Sequence, residues 1–172
     1  DFEREPKSVY TGVMIIKAAQ LNPKVGDIAG NLTLLLSHIK QHKEADLIIT
    51  PELFLTGYPP LDLLHHPKLY KDVARALKHL IEASKELPNT GLLIGCPILT
   101  KKGATNSACL LLNGKHIGTY DKQLLPTYDV FDEKRYFIPG ENKSPLLFKG
   151  VKLGVHICED AWIYDSLTKT DQ

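Results

Sequence analysis

The chain has 172 residues, 43% of them hydrophobic and 24% charged, and its 21 basic and 20 acidic side chains leave a formal net charge of +1. This length and composition fit one globular domain with a core of its own. The near-neutral charge excludes the electrostatic footprint of a nucleic-acid binder or a polybasic membrane binder. The longest mostly apolar stretch, residues 91–99, is far too short to span a bilayer.

The cysteines and the N-terminal residues indicate where in the cell the protein is expected to be. The three cysteines have no paired spacing, so they do not form a disulfide framework, and a reducing, cytoplasmic location is expected. The first residues are strongly charged and no apolar run follows them, which excludes a signal peptide. The only methionine is Met14, and we expect residues 1–13 to be an extension or a tag. The alternative is that Met14 is an ordinary strand residue.

The first part of the chain alternates predicted strands with predicted amphipathic helices. Strand segments are β-branched and end at turn residues, whereas helical segments repeat apolar residues every three to four positions. Asp27 is the expected N-cap of the first helix. The predicted elements are, in chain order, a strand over 13–21, a helix over 28–39, a strand over 46–50, a helix over 69–81 and a strand over 91–99.

Two hairpins are predicted in the remaining part. The first joins strands over 107–112 and 115–120 through Asn113-Gly114, a dipeptide typical of the type I′ turn. The second joins strands over 146–148 and 151–157. An order of βαβαβ followed by hairpins indicates an α/β protein with a mixed sheet.

Three chemically reactive side chains share one predicted position. Glu52, Lys122 and Cys158 each come just beyond the C-terminal end of a predicted strand. Open α/β sheets place their ligand crevice at this edge. The residues after Cys158 also fit a sharp turn that exposes the thiol and directs backbone N–H groups at a developing oxyanion.

These residue types fit nucleophilic hydrolysis of an amide. A cysteine attacks as its thiolate, a carboxylate can accept the thiol proton and later deliver it to a leaving amine, and an ammonium can stabilise an oxyanion. Taken singly, a cysteine is commonly a small buried hydrophobe and a lysine a solvated charge. The shared strand-end position therefore carries the hypothesis.

Other local interpretations receive less support from the spacing. His156 with Cys158, or His65-His66 beside Asp62, could suggest a metal site, but no C-x-x-C or H-E-x-x-H spacing is present, and we predict no metal. His156 lies only two residues from Cys158, which is a poor arrangement for a cysteine–histidine dyad. The other two thiols, Cys96 and Cys109, fall inside apolar strands and are expected to be inert core residues.

Longer motifs add a family resemblance. Four segments resemble the nitrilase (carbon–nitrogen hydrolase) superfamily, and most closely the N-terminal glutaminase domain of glutamine-dependent NAD synthetases. They occur in the family's order from Met14 to about Trp162. The segments are AAQLNPKVGDIAGN (18–31), DLIITPELFLTGYPPLDLL (46–64), YDKQLLPTYDVFDEKRYFIPG (120–140) and LGVHICEDAW (153–162).

The resemblance implies a role for each site residue. Glu52 would be the general base, Lys122 the oxyanion-stabilising lysine and Cys158 the nucleophile. Glu133 would be a second glutamate that positions the lysine. The substrate contacts implied are a glutamine-binding Tyr128 and a pocket lined by Tyr58 and Phe131.

The resemblance also implies a fold and a function. The fold would be an αββα nitrilase-like sandwich over residues 14–172, represented here by its N-terminal portion, because the family's domain continues well past the nucleophile and only 14 residues follow Cys158. The domain would hydrolyse L-glutamine without a cofactor and pass ammonia to a synthetase domain that uses ATP and Mg²⁺, in a homo-oligomeric enzyme. The alternatives are a stand-alone amidase of another nitrilase branch and a non-catalytic fragment.

Overall fold

The computed structural model describes residues 12–141 and 144–162. The extension expected at residues 1–13 lies outside the described residues up to position 11, and the last part of the expected domain, residues 163–172, also lies outside them. Within the described ranges the chain forms one mixed sheet, two helices and a short second sheet.

The main sheet has five strands in the order β1-β2-β3-β4-β5. The first three strands are parallel and the last two are antiparallel to their neighbours, which confirms the predicted mixed sheet. Asn113 and Gly114 both have positive φ, as the predicted type I′ turn between β4 and β5 requires. The strands are β1 (Ile16–Ala18), β2 (Leu47–Ile49), β3 (Gly91–Leu99), β4 (Ala104–Leu112) and β5 (Lys115–Asp121).

Two helices connect the parallel strands. Helix α1 (Ile28–Ile39) has the predicted bounds, and the Asp27 side chain accepts a hydrogen bond from Gly30 N at 2.9 Å, as expected of an N-cap. Helix α2 (Pro67–Ala83) is longer than predicted. It begins at a proline, which is well tolerated at the first helical position because that position needs no N–H donor.

The sheet buries both of its faces. Alternate β4 residues Cys109 and Leu111 pack in the core with α1 and α2, whereas Ala108 and Leu110 pack on the opposite face. That opposite face is covered by a hairpin of β6 (Leu146–Phe148) and β7 (Val151–Leu153). The described residues thus form a helical layer, a five-stranded sheet and the start of a second sheet, which is the α/β arrangement that the sequence predicts.

Two predicted strands are shorter than expected. The strand predicted over 13–21 forms its ladder only over Ile16–Ala18, opposite the three residues of β2. The strand predicted over 151–157 ends at Leu153, which pairs with Leu146. The residue before Leu146 is Pro145, and a proline has no N–H to extend the ladder.

None of the helices in the described ranges is long and apolar enough to cross a membrane.

Candidate active site

The strand directions bring the predicted site residues to one edge of the sheet. Strands β2 and β5 run in the same direction, so Glu52, three residues after β2, and Lys122, directly after β5, lie at the same edge. Cys158 does not follow its strand directly, because β7 already ends at Leu153. It begins a 3₁₀ turn, Cys158–Ala161, that returns the chain to this edge.

The turn that carries Glu52 packs tightly against β3. Gly95 N donates to Thr50 Oγ1 at 2.9 Å, and Leu55 N donates to Gly95 O at 3.1 Å. A Cβ atom on Gly95 would lie 2.3 Å from Pro51 O, closer than real Cβ contacts come. The absence of a side chain at this strand position therefore allows the Glu52 turn to sit directly on the sheet.

Lys122 is fully buried between two carboxylates. Its side chain has 0% exposure, and its Nζ lies 2.8 Å from Glu52 Oε1 and 3.0 Å from Glu133 Oε1. The second Glu133 oxygen, Oε2, is also within 2.9 Å of Nζ, in a poorer orientation for a hydrogen bond. A buried charge needs such partners, so this lysine is held as an ammonium at a fixed point.

Burial and the neighbouring charges shift the pKa values of this cluster. Burial alone lowers the pKa of Lys122, but the hydrogen bonds to Glu52 and Glu133 outweigh it and leave the pKa raised. Burial raises the pKa of Glu133, and the charge of Glu52 adds to this effect against the opposing ammonium. Lys122 is therefore cationic over the whole neutral range.

The turn at the thiol has an unusual backbone conformation. Cys158 has a φ of 47°, in the left-handed region that side chains other than glycine rarely adopt. The buried Asp160 carboxylate holds this turn, because its Oδ2 accepts from Ile157 N at 3.1 Å and from Tyr120 OH at 2.8 Å. The turn exposes the Cys158 side chain, as the sequence predicts for a nucleophile at a sharp bend.

The surroundings of Cys158 favour the neutral thiol at rest. Partial burial raises the pKa of Cys158, the charge of Glu52 raises it further, and Lys122 opposes both. A backbone hydrogen bond from Glu159 also favours the thiolate. A neutral thiol must lose its proton to a nearby base before or as it attacks, because the thiolate is the nucleophile.

The residues expected to contact substrate surround this cluster. Tyr58 OH donates to Glu133 Oε1 at 3.1 Å, and burial together with the Glu133 charge raises the pKa of Tyr58. Tyr128 OH donates to the carboxylate of Glu159, next to the thiol, at 2.7 Å. Phe131 packs edge-on against Tyr128, with ring centroids 5.8 Å apart. Tyr58 thus contacts the carboxylate that holds Lys122, and Tyr128 contacts the residue after Cys158.

Sequence reasoning missed two buried polar residues of this site. Asn106 donates from Nδ2 to Glu52 Oε1 at 2.6 Å. Asp160 Oδ1 accepts from the backbone N–H groups of Gln123, at 3.1 Å, and Leu124, at 2.8 Å, and so ties the Cys158 turn to the segment after Lys122. A polar triplet, residues 105–107, inside an otherwise apolar strand was the available signal for Asn106.

The remaining thiols and His156 make none of the contacts among Glu52, Lys122 and Glu133. Cys96 and Cys109 are buried in the strands, as predicted, with their Sγ atoms 3.7 Å apart. His156 Nδ1 contacts the backbone carbonyl of Asp160 at 3.3 Å. Residues 12–141 and 144–162 contain no group of three or more histidine, cysteine, aspartate or glutamate side chains that could hold a metal ion.

Together these side chains can carry out nucleophilic substitution at a carbonyl. A thiol can act as a nucleophile, a carboxylate such as Glu52 can accept and donate a proton, and Lys122 places a fixed positive charge beside them. This constellation on an α/β sheet defines the nitrilase class of hydrolases. The sequence profile of the carbon–nitrogen hydrolase family matches residues 16–170, and the chain belongs to that family.

Two curated proteins that are similar to this chain are glutamine-dependent NAD(+) synthetases. A glutamine-dependent NAD(+) synthetase of Synechocystis is 41% identical over 156 residues, which are 86% of this chain and 28% of that protein. The Thermotoga maritima protein of the same name is 38% identical over 149 residues, or 86% of this chain and 26% of its own. The chain thus spans less than a third of the length of these relatives.

Solved structures give the same fold. A glutamine-dependent NAD+ synthetase of Acinetobacter baumannii superposes with a TM-score of 0.80 at 35% identity, over 90% of this chain and 29% of that one. An amidase of Nesterenkonia sp. superposes with a TM-score of 0.76 at 26% identity, over 87% of this chain and 57% of that one. A variant of that amidase carries an acetamide moiety on its active-site cysteine.

Proposed function

We propose that this chain hydrolyses the side-chain amide of L-glutamine to glutamate and ammonia through a thioester on Cys158. The observation that carries the proposal is the fully buried Lys122 ammonium held between Glu52 and Glu133 beside an exposed thiol. The names of its glutamine-dependent relatives support the choice of substrate.

The first half of the reaction forms the thioester. Glu52 takes the thiol proton as Cys158 Sγ attacks the amide carbon, and a C–S bond forms while the carbonyl π electrons move to oxygen. Lys122 and a backbone N–H of the turn stabilise that oxyanion. When the intermediate collapses, the C–N bond breaks and Glu52 returns its proton to the nitrogen, which leaves as ammonia.

The second half restores the thiol. Glu52 is again a carboxylate and accepts a proton from the water that attacks the thioester carbon. Collapse of this second intermediate breaks the C–S bond, and the proton on Glu52 passes to the sulfur as glutamate leaves. One water is consumed for each amide cleaved, and no cofactor takes part in these steps.

In the proposed function, Tyr58, Tyr128 and Phe131 line the space that the substrate occupies. Tyr58 and Phe131 line one small hollow together with Glu133. Tyr128 lines an adjoining open cleft of about 610 Å³. In the proposed complex the glutamine amide lies against Cys158, and the amino acid end reaches toward Tyr128, where a polar hydroxyl can orient it.

The ammonia has a proposed destination. The relatives are NAD synthetases of which this chain corresponds to about a quarter, so the ammonia would feed an ATP- and Mg²⁺-dependent segment that amidates deamido-NAD. The chain would then act as the nitrogen-supplying part of a larger enzyme, which we propose to be a homo-oligomer.

A second candidate is a stand-alone amidase for a smaller amide. The observation that favours it is the Nesterenkonia amidase, of which this chain covers a much larger share than it does of the synthetases. A non-catalytic role is the third possibility and requires that no amide is hydrolysed.

The experiment that tests the proposal is ammonia release from L-glutamine, L-asparagine, propionamide and acetamide. We expect glutamine to give the highest kcat/KM, with no release by Cys158→Ser. The variant Cys96→Ala, which changes a buried thiol away from the site, is the matched control and should keep its activity. Faster release from the simple amides would favour the amidase, and no release from any amide would exclude both enzymatic candidates.

A further inference from the structure

Asn106 is a buried residue that forms hydrogen bonds with both Glu52 and Lys122. It is the third residue of β4 and has 0% exposure. Its side-chain Nδ2 donates to Glu52 Oε1 at 2.6 Å, and its backbone carbonyl accepts from Lys122 N at 2.8 Å. A single strand residue therefore fixes the carboxylate and the backbone of the lysine relative to each other.

The side-chain amide of Asn106 costs folding free energy, because one of its polar atoms is unpaired. Its Oδ1 is buried and has no hydrogen-bond partner, and an unsatisfied buried acceptor destabilises the folded state. Exchanging the positions of N and O does not remove this cost, because Oδ1 would then face the Glu52 oxygen, which is also an acceptor. The strand therefore holds an asparagine that packing alone does not favour, since a leucine, which has the same branching and the same number of side-chain heavy atoms, would leave no polar atom unpaired.

The hydrogen bonds on Glu52 are distributed unevenly. Lys122 Nζ and Asn106 Nδ2 both end on Oε1. In the part of the chain that the structure describes, no hydrogen bond is made to Oε2. Two donors on one oxygen fix the rotation of the carboxylate and leave the other oxygen for proton transfer.

We propose that Asn106 is a positioning residue of this active site: it holds Oε1 of Glu52 so that Oε2 exchanges the proton with Cys158 and with the leaving nitrogen. The inference rests on the proposed function of Glu52 as the base. It assigns Asn106 no contact with the substrate, so its loss should slow the chemistry without weakening substrate binding.

The first test compares glutamine hydrolysis by the wild type and Asn106→Leu. We expect kcat to fall about 10- to 100-fold, since a displaced catalytic group costs this much, while KM stays within about twofold. The melting temperature should be equal to or above that of the wild type, because the variant removes the unpaired oxygen. The control is Thr105→Val, which removes a neighbouring buried hydroxyl bonded to Ser107, and it should keep its kcat. An unchanged kcat in Asn106→Leu, or a rise in KM alone, would overturn the proposal.

The second test needs neither turnover nor a folded Asn106 variant. A charge-assisted hydrogen bond shifts the donor proton, so one side-chain Nδ2 proton of Asn106 should resonate downfield in the wild type and move upfield in Glu52→Gln. The same resonance in both proteins would contradict the proposal. If the wild type does not hydrolyse glutamine, the proposed function fails, and this NMR comparison alone decides whether Asn106 holds Glu52.

Discussion

Lys122 is a charged residue that needs charged partners because it is buried. It is completely buried, and its charge is balanced by Glu52 and Glu133 at distances of 2.8–3.0 Å. Removing one partner from a buried ion pair costs about 3–5 kcal/mol, far more than removing an exposed pair. The lysine therefore supports the fold as well as the proposed oxyanion.

The variant Lys122→Met should lose stability in a pH-dependent way. Burial raises the pKa of Glu133 in the folded protein, so the folded state keeps this proton to a higher pH than the unfolded chain, and stability falls as pH rises between the two values. Without the ammonium this pKa rises further. We expect the variant to lose about 3 kcal/mol relative to the wild type at pH 8 and clearly less at pH 5.

Urea unfolding of both proteins at the two pH values measures this difference. The control is Lys102→Met, whose ion pair with Glu141 is exposed and should contribute almost nothing at either pH. A loss that is equal at both pH values, or larger at pH 5, would show that Glu133 is not the group that the lysine compensates.

At the scale of elements, the site depends on how closely the Glu52 turn packs against β3. The backbone at Pro51 and Leu53 occupies the space that a Cβ on Gly95 would need. Neither backbone atom is the end of a flexible side chain, so the turn must move if this space is filled. The position of the proposed base is thus set by a glycine on the neighbouring strand.

The variant Gly95→Ala should therefore impair catalysis strongly, although it adds only one methyl group. A shift of the Glu52 turn by about 1 Å predicts a loss of about 100-fold in kcat/KM for glutamine, together with a lower melting temperature. Gly154→Ala is the matched control, because a Cβ there meets nothing within 4 Å. Equal activity of the two variants would mean that the turn adapts without displacing the carboxylate.

For the whole molecule, the sequence predicts local elements better than remote contacts. Helix α1 and strand β3 have their predicted bounds because apolar periodicity and end signals are local. Strand β7 is shorter than predicted because its length depends on Pro145 in the partner segment. The hydrogen bond from Asn106 to Glu52 joins residues 54 positions apart, and no local pattern specifies such a pair.

The separation of contacting residues along the sequence also explains which site residues could be predicted. Glu52 and Lys122 follow predicted strands, so their common edge follows from strand direction. The Asp160 contacts with Gln123 and Leu124 arise only when the Cys158 turn folds back against the segment after β5. The family motifs cover this turn but do not show what it contacts.

Coupling to a synthetase segment gives a prediction for the larger enzyme. In a protein that joins this chain to that segment, Cys158→Ala should abolish NAD synthesis supported by glutamine and leave synthesis supported by ammonium salts unchanged. The reason is that the proposed role of the thiol is confined to releasing ammonia from glutamine. Assays with each nitrogen source measure this, and loss of both activities in a folded variant would place Cys158 in the coupling or in the synthetase step.

The most direct test of the central claim is interception of the thioester. Hydroxylamine competes with water for an acyl-enzyme, so the wild type given L-glutamine and hydroxylamine should form γ-glutamyl hydroxamate at the expense of glutamate, and Cys158→Ala should form neither product. Hydroxamate from Cys158→Ala, or glutamate formed by the wild type with no hydroxamate at any hydroxylamine concentration, would contradict a covalent intermediate on this cysteine.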